Sequence, residues 1–136
     1  MTRQPVVLFV CVHNAGRSQM AAAFARQLSK GRVAVLCGGS EPATAVHPMV
    51  LAVMQEAGID LSRERPKAFV DNDVRRADVV VTMGCGEACP AFPGKRYEDW
   101  QVADPKDQPV ERVRAVRDAI RDKVSDLLAS LGYDHD

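Results

Sequence analysis

The sequence lacks several features that would place it among membrane proteins or nucleic-acid-binding proteins. Its 18 basic residues balance 18 acidic ones, and this balance gives no reason to expect nucleic acid as a partner. The longest apolar run, residues 6–12, is far too short to span a bilayer, so no membrane association is expected. No small-residue cleavage site follows that run, and we therefore expect a cytoplasmic protein without a signal peptide.

Aromatic residues and cysteines are also scarce. Aromatics make up 5% of the chain, and the four cysteines are Cys11, Cys37, Cys85 and Cys89. A globular chain of 136 residues, 46% of them hydrophobic, can bury a core of its own and does not need disulfide staples. In a reducing compartment these cysteines are expected to be free, metal-bound or redox-active.

Apolar runs alternate with amphipathic segments along the whole chain. We predict strands at residues 5–12, 33–36, 78–83 and 96–102, and helices at residues 18–30, at 47–57 and from Pro109 to a stop at Gly132. This alternation predicts a single α/β domain over residues 1–136, with a four-stranded parallel sheet in flavodoxin-like order and helices on both faces. Cys11, Cys85 and Asp104 all lie at or just after the ends of predicted strands, where such sheets bind ligands.

The segment from Cys11 to Ser18 leads from the first strand into the first helix and has the composition of an oxyanion cradle. Loop amides and the unpaired N–H groups of a helix start favour an anion, and Arg17 adds a planar, bidentate grip. The same field favours a thiolate at Cys11, which we predict to be the nucleophile. The expected oxyanion-binding residues are Val12, His13, Asn14, Ala15, Gly16, Arg17 and Ser18.

Individual residues of this loop have separate expected tasks. Gly16 permits the twist that turns amides inward, and Asn14 tolerates left-handed backbone angles. The Ser18 hydroxyl either caps the helix or bonds the Cys11 sulfur. A thiolate in such a cradle needs no base, so His13 is not assigned that role, and His47 is expected to cap the second predicted helix. Against the functional interpretation, free cysteines are most often small buried hydrophobes.

Together these residues resemble the low-molecular-weight protein tyrosine phosphatase fold, and more specifically its arsenate reductase branch. The resemblance rests on residues 11–21, 46–48, 58–62, 66–67 and 104–105. It implies that Cys11 attacks arsenate, that phosphate or sulfate can stand in for arsenate, and that Asp104 acts as general acid for the leaving oxygen. No metal and no bound organic cofactor is implied.

Cys85 and Cys89 favour the reductase branch, because a phosphatase needs neither. The resemblance implies that Cys85 attacks the arsenylated Cys11 and releases arsenite. Cys89 then attacks Cys85, and thioredoxin reduces the resulting disulfide. Gly84 and Gly86 would supply the flexibility that such a relay requires.

Three departures from the family pattern stand beside this resemblance. The better-known three-cysteine reductases have more residues between their second and third cysteines than the three that separate Cys85 from Cys89. Gly16 stands where many relatives have a cysteine. Ala22 stands where some relatives have a glutamate that helps to hold potassium. We therefore expect no monovalent-ion site.

Other interpretations stay open. In one, an external small thiol such as mycothiol or glutathione attacks the arsenylated Cys11 directly. In another, the chain is a phosphatase. A zinc site at Cys85 and Cys89 lacks two further nearby ligands. Cys37 is expected to be a buried packing residue.

Overall fold

Four parallel strands form the centre of the protein in a computed structural model that describes residues 4–84 and 95–133. They are β1 (Val6–Cys11), β2 (Ala34–Gly39), β3 (Val79–Met83) and β4 (Arg96–Asp99), in the spatial order β2-β1-β3-β4. The two inner strands, β1 and β3, are apolar except for Thr82 and are buried at every position, as expected for a parallel sheet covered on both faces. The predicted four-stranded parallel sheet is confirmed.

In the part of the chain that the structure describes, four helices cover the two faces of this sheet. They are α1 (Arg17–Ser29), α2 (Pro48–Glu56), α3 (Asp71–Arg76) and α4 (Val110–Ser130). Alternate residues of β1 point to opposite faces, so that Phe9 lies in the larger core with α1, α2 and α4, whereas Leu8 lies in the smaller core beneath α3. Among the described residues no helix is long and apolar enough to cross a membrane.

Three elements differ from the sequence-based prediction. Strand β4 ends at Asp99 and not at residue 102, because its partner β3 itself ends at Met83. The short helix α3 was not predicted, because only Val74 of its six residues is buried and no apolar periodicity marks it. Its start is fixed by the side chain of Asp73, whose Oδ2 accepts a hydrogen bond from Val70 N at 3.0 Å. Strand β2 ends at Gly39, three residues beyond the predicted end, through Cys37 and two glycines that carry no strand signal of their own.

The glycines at the end of β2 allow two backbone segments to approach closely. A Cβ atom on Gly38 would lie 2.5 Å from the backbone nitrogen of Phe69, and one on Gly39 would lie 2.5 Å from the carbonyl oxygen of Val12. Gly39 N also donates a hydrogen bond to Lys67 O at 2.8 Å. The loop after β1 is therefore held against the end of β2 at a distance that no side chain permits.

We predict that Gly39→Ala destabilises the protein, because the new methyl group meets backbone atoms that cannot move independently. The free energy of unfolding should fall by about 1–3 kcal/mol, the usual cost of overpacking, as measured by urea denaturation. Ser40→Ala is the matched control, since it keeps the hydrogen bond from the backbone nitrogen of residue 40 to Cys11 O. Equal stability of the two variants would contradict the close approach.

Candidate active site

Cys11 is the last residue of β1, one of the two inner strands of the sheet. Its register partners are Gly39 in β2 and Met83 in β3, so the ends of three strands meet around its side chain. The residue is only 2% exposed, although it lies at the carboxyl edge where the loops begin. The sheet therefore holds the sulfur at a fixed point at the base of the loop that follows.

The loop at residues 12–16 turns its carbonyl groups outward. The carbonyl oxygens of Val12, His13 and Ala15 accept hydrogen bonds from the backbone nitrogens of residues 41, 43 and 47, at 2.8, 3.0 and 3.0 Å. The N–H group on the other side of each trans peptide unit points in the opposite direction. Asn14 N shows that direction, because it donates to Cys11 Sγ at 3.2 Å. The amides of this loop thus line a cradle above the sulfur.

The turn within the loop depends on Asn14, whose φ is +51°. Asparagine tolerates this left-handed conformation better than most residues, as expected from the sequence. Gly16 has φ −142° and ψ −86°, a combination outside the main regions that residues with a Cβ populate, in keeping with the twist expected of this glycine. It also leaves space: a Cβ on Gly16 would lie 3.0 Å from Pro105 Cγ and 3.5 Å from His47 Cδ2.

A chain of hydrogen bonds leads through the side chain of Asn14 to the sulfur. Lys67 N donates to Asn14 Oδ1 at 3.0 Å, which fixes the orientation of the amide. Asn14 Nδ2 then donates to Ser18 Oγ at 2.6 Å. Because that oxygen acts as acceptor for Asn14, the Ser18 proton is free to point at Cys11 Sγ, 2.9 Å away. Hydrogen bonds donated to the sulfur favour its ionised form.

Of the two tasks open to Ser18, the structure thus shows the bond to the sulfur. The N-cap position of α1 is occupied by Gly16, without a side-chain cap. His47 occupies the N-cap position of α2, as expected, but its side chain makes no capping hydrogen bond.

Arg17 lies at the first position of α1, and its guanidinium is turned toward the loop that follows β4. Nη1 donates to Val102 O at 3.2 Å, and Nη2 lies 3.8 Å from Asp104 Oδ2. The side chain of Arg17 is 10% exposed, whereas that of Asp104 is 47% exposed. The structure therefore brings together the two predicted charged groups of the site, with the carboxylate on the solvent side.

The loop carrying Asp104 has a turn of its own and packs against the cradle through Pro105. Asp104 Oδ1 accepts a hydrogen bond from Lys106 N at 3.0 Å, a local turn that orients the carboxylate. Pro105 is buried against Gly16. The position of the carboxylate is thus tied to the nucleophile loop through packing as well as through Arg17.

Two histidines flank this region without reaching the sulfur. His13 Nδ1 lies 3.0 Å from Glu41 O, in agreement with the view that it is no base for Cys11. Partial burial lowers the pKa of His47 from its ordinary 6.5, and the nearby Asp104 carboxylate opposes that effect. The His47 imidazole is accordingly biased toward its neutral form.

Several residues of this site were not assigned a role from the sequence. Gln19 is fully buried on α1, and its Nε2 lies 3.2 Å from Asn14 Oδ1. A glutamine on the buried face of a helix is a signal that could have been noticed. The contribution of Lys67 N has no such signal, because it comes from the backbone 53 positions away from Asn14.

Two of the predicted site residues, Cys85 and Cys89, lie outside the described residues. Cys37 is buried in the core opposite Phe9 of β1, as expected, and its Sγ lies 3.5 Å from Lys67 Nζ. Within residues 4–84 and 95–133, no group of three His, Cys, Asp or Glu side chains is arranged to hold a metal ion.

Comparison with known proteins covers almost the whole chain. Residues 6–136 match the family model described as low molecular weight phosphotyrosine protein phosphatase. A putative arsenate reductase of Halobacterium salinarum is 40% identical over 131 residues, covering 93% of this chain and 92% of that protein. A glutaredoxin arsenate reductase of Synechocystis sp. is 38% identical over 128 residues, covering 92% and 97%.

Solved structures show the same similarity. A thioredoxin-dependent arsenate reductase of Corynebacterium glutamicum superimposes with a TM-score of 0.85 at 39% identity; the match covers 96% of this chain but only 63% of that protein, less than two thirds of its length. An arsenate reductase in the phosphate-binding state superimposes with a TM-score of 0.82 at 36% identity, covering 93% of this chain and 98% of that one.

The hydrogen bonds at the sulfur lead to a test of its reactivity. We predict that Ser18→Ala slows alkylation of Cys11 by iodoacetate at neutral pH about tenfold or more, since a hydrogen bond to a charged group contributes about 1.5–3 kcal/mol. Peptide mass spectrometry over a time course measures the rate at Cys11.

The matched control for this test is Ser29→Ala. Ser29 is also fully buried on α1, but its hydroxyl has no hydrogen-bond partner among the described residues. If Ser18→Ala and Ser29→Ala react at the same rate, the Ser18 hydroxyl does not activate the sulfur.

Proposed function

We propose that this chain, which belongs to the low molecular weight phosphotyrosine protein phosphatase family, reduces arsenate to arsenite at the Cys11 cradle. The observation that carries the proposal is the sulfur of Cys11 held by donors from Asn14 N and Ser18 Oγ inside a loop of inward amides. Such a site stabilises an anionic nucleophile and binds the oxygens of a tetrahedral oxyanion. The arsenate reductases among its relatives support arsenate as that oxyanion.

In the proposed first step, the Cys11 thiolate attacks arsenic, and one arsenate oxygen leaves. Arg17 and the loop amides hold the remaining oxygens, where negative charge increases in the transition state. Asp104, on the solvent side of Arg17, protonates the departing oxygen so that it leaves as water. The product is a Cys11 sulfur bonded to arsenic(V).

The second step is the reduction itself. A thiolate attacks Cys11 Sγ, the sulfur–arsenic bond breaks, and its electron pair stays on arsenic, which leaves as arsenite. The two sulfurs are thereby oxidised to a disulfide. We assign the attacking thiolate to Cys85, which follows Gly84 in the sequence, and Gly84 lies directly against Arg17.

Cys89 then attacks Cys85, frees Cys11 and leaves a disulfide between Cys85 and Cys89. A thioredoxin-type dithiol protein reduces that disulfide and restores the starting state. The thioredoxin-dependent reductase of Corynebacterium glutamicum, similar over 96% of this chain, supports this choice of reductant. No step requires a metal ion or an organic cofactor, and all electrons come from thiols.

Two alternatives have specific observations in their favour. The glutaredoxin arsenate reductase of Synechocystis sp. favours a glutathione-linked route, in which an external thiol such as glutathione or mycothiol attacks arsenylated Cys11. The family model favours a phosphatase, and the same cradle accommodates phosphate. Phosphatases of this fold tend to have aromatic residues directly after the Asp-Pro pair, whereas Lys106 and Asp107 follow Pro105 in this chain. Charged residues at these positions fit a small free oxyanion better than an aryl phosphate.

We predict that Cys11→Ser lowers arsenate turnover by roughly three orders of magnitude or more, because the hydroxyl is a far weaker nucleophile and cannot form the disulfide. Binding of phosphate should persist, since the loop amides and Arg17 remain. Turnover is measured as arsenite production with a thioredoxin reducing system, and binding by calorimetry.

Cys37→Ala is the control for this variant, because Cys37 is a second buried cysteine and should leave turnover nearly unchanged. Substantial turnover by Cys11→Ser would refute the nucleophile. Equal efficiency of the unaltered protein on arsenate and on an aryl phosphate would favour the phosphatase alternative.

A further inference from the structure

Gly84, the residue after β3, lies against the guanidinium of Arg17. Its φ is +84°, and a Cβ at this position would lie 2.6 Å from Arg17 Nη1 and 3.3 Å from both Cζ and Nη2. Real Cβ atoms do not approach other atoms to 2.6 Å. Any side chain at position 84 therefore competes with the guanidinium for the same space.

The positive φ alone does not explain this contact. Gly58 and Gly132 have nearly the same φ, +81° and +88°, but a Cβ on either would meet no atom within 4 Å. Both follow helices, where glycine in this conformation is a common way to end the helix. Among these glycines, Gly84 differs in that the space beside it is occupied by a charged side chain of the candidate site.

The backbone at Gly84 is much less free to move than Arg17. Met83 pairs with Cys11 in the central strand, and Thr82 O accepts a hydrogen bond from Trp100 N at 2.9 Å. The guanidinium, in contrast, stands at the end of a flexible side chain. A methyl group at position 84 would accordingly displace Arg17 and leave the strand in place.

Such a displacement would remove both contacts that orient the guanidinium. These are the hydrogen bond to Val102 O at 3.2 Å and the approach to Asp104 Oδ2 at 3.8 Å. The planar group is thus confined by the backbone after β3 on one side and by the loop after β4 on the other. A bidentate grip on an oxyanion needs this orientation as well as the charge.

We propose that Gly84 is a positioning residue for oxyanion binding. Because Gly84 has no side chain, the guanidinium of Arg17 can occupy the space beside it and keep its orientation. This inference rests on the proposed role of Arg17 as the clamp of the oxyanion. Gly84 itself contacts no substrate and acts only through Arg17.

The test measures phosphate affinity by calorimetry for Gly84→Ala, Arg17→Ala and the double variant. Gly84→Ala should weaken binding about tenfold or more, the size of a lost charge-assisted hydrogen bond. In the Arg17→Ala background, Gly84→Ala should have no further effect. Gly58→Ala is the control, because it adds the same backbone strain in open space, and it should bind phosphate as the unaltered protein does.

The outcomes separate this inference from the proposed function. If Arg17→Ala binds phosphate normally, the clamp itself is wrong. If Arg17→Ala weakens binding but Gly84→Ala does not, or if Gly84→Ala acts equally in both backgrounds, the inference about Gly84 is overturned and the clamp stands.

A stability measurement keeps the inference testable if Gly84→Ala folds poorly. Removal of the Arg17 side chain removes the clash, so Gly84→Ala should lower the melting temperature less in the Arg17→Ala background than in the unaltered protein. An equal loss in both backgrounds would show that backbone strain, and not Arg17, requires glycine at this position.

Discussion

The side chain of Asn14 connects the Cys11 sulfur to the distant segment that carries Lys67. Its carbonyl oxygen accepts from Lys67 N, and its amide nitrogen donates to Ser18 Oγ, which lies 2.9 Å from the Cys11 sulfur. Without these partners the fully buried amide of Asn14 would cost free energy, because its polar atoms are out of reach of water. The segment carrying Lys67 therefore stabilises the conformation of the loop at Asn14. Formation of the nucleophile site is coupled in this way to folding of the chain around β2.

The parallel sheet supplies the second constraint, because it brings the carboxyl ends of neighbouring strands to one edge. Cys11 ends β1, Gly84 follows β3, and Asp104 belongs to the loop after β4, so three neighbouring parallel strands deliver the nucleophile, the support for Arg17 and the carboxylate to one edge. Packing between elements keeps these loops together: Pro105 rests on Gly16, and the guanidinium of Arg17 lies between Gly84 and Val102 O. The proposed chemistry needs all of these groups within a few ångströms, and the backbone provides most of that proximity.

Much of this arrangement was predictable because its causes are local. The apolar run of β1, the cysteine at its end and the arginine at the start of α1 follow from short patterns in the sequence, and they located Cys11 and Arg17 at the sheet edge. Asp104 was located by the strand predicted before it and by the family resemblance. The remaining features have causes that are distant in sequence. The bond from Lys67 N and the space beside Gly84 arise only when segments far apart in the chain meet, and helix α3 has too few buried residues to produce a period. Cys85 and Cys89 were singled out from their chemistry and the family resemblance, and their roles remain proposals.

In the proposed function, arsenate is reduced by thiols of this chain through Cys11. The most direct measurement adds excess arsenate to the fully reduced protein without any reductant, counts the remaining thiols, and maps disulfide-linked peptides by mass spectrometry. We expect two of the four thiols to disappear and the linked peptides to contain Cys85 and Cys89. Persistence of all four thiols would contradict the relay and leave an external thiol or phosphatase chemistry as the activity of the Cys11 site.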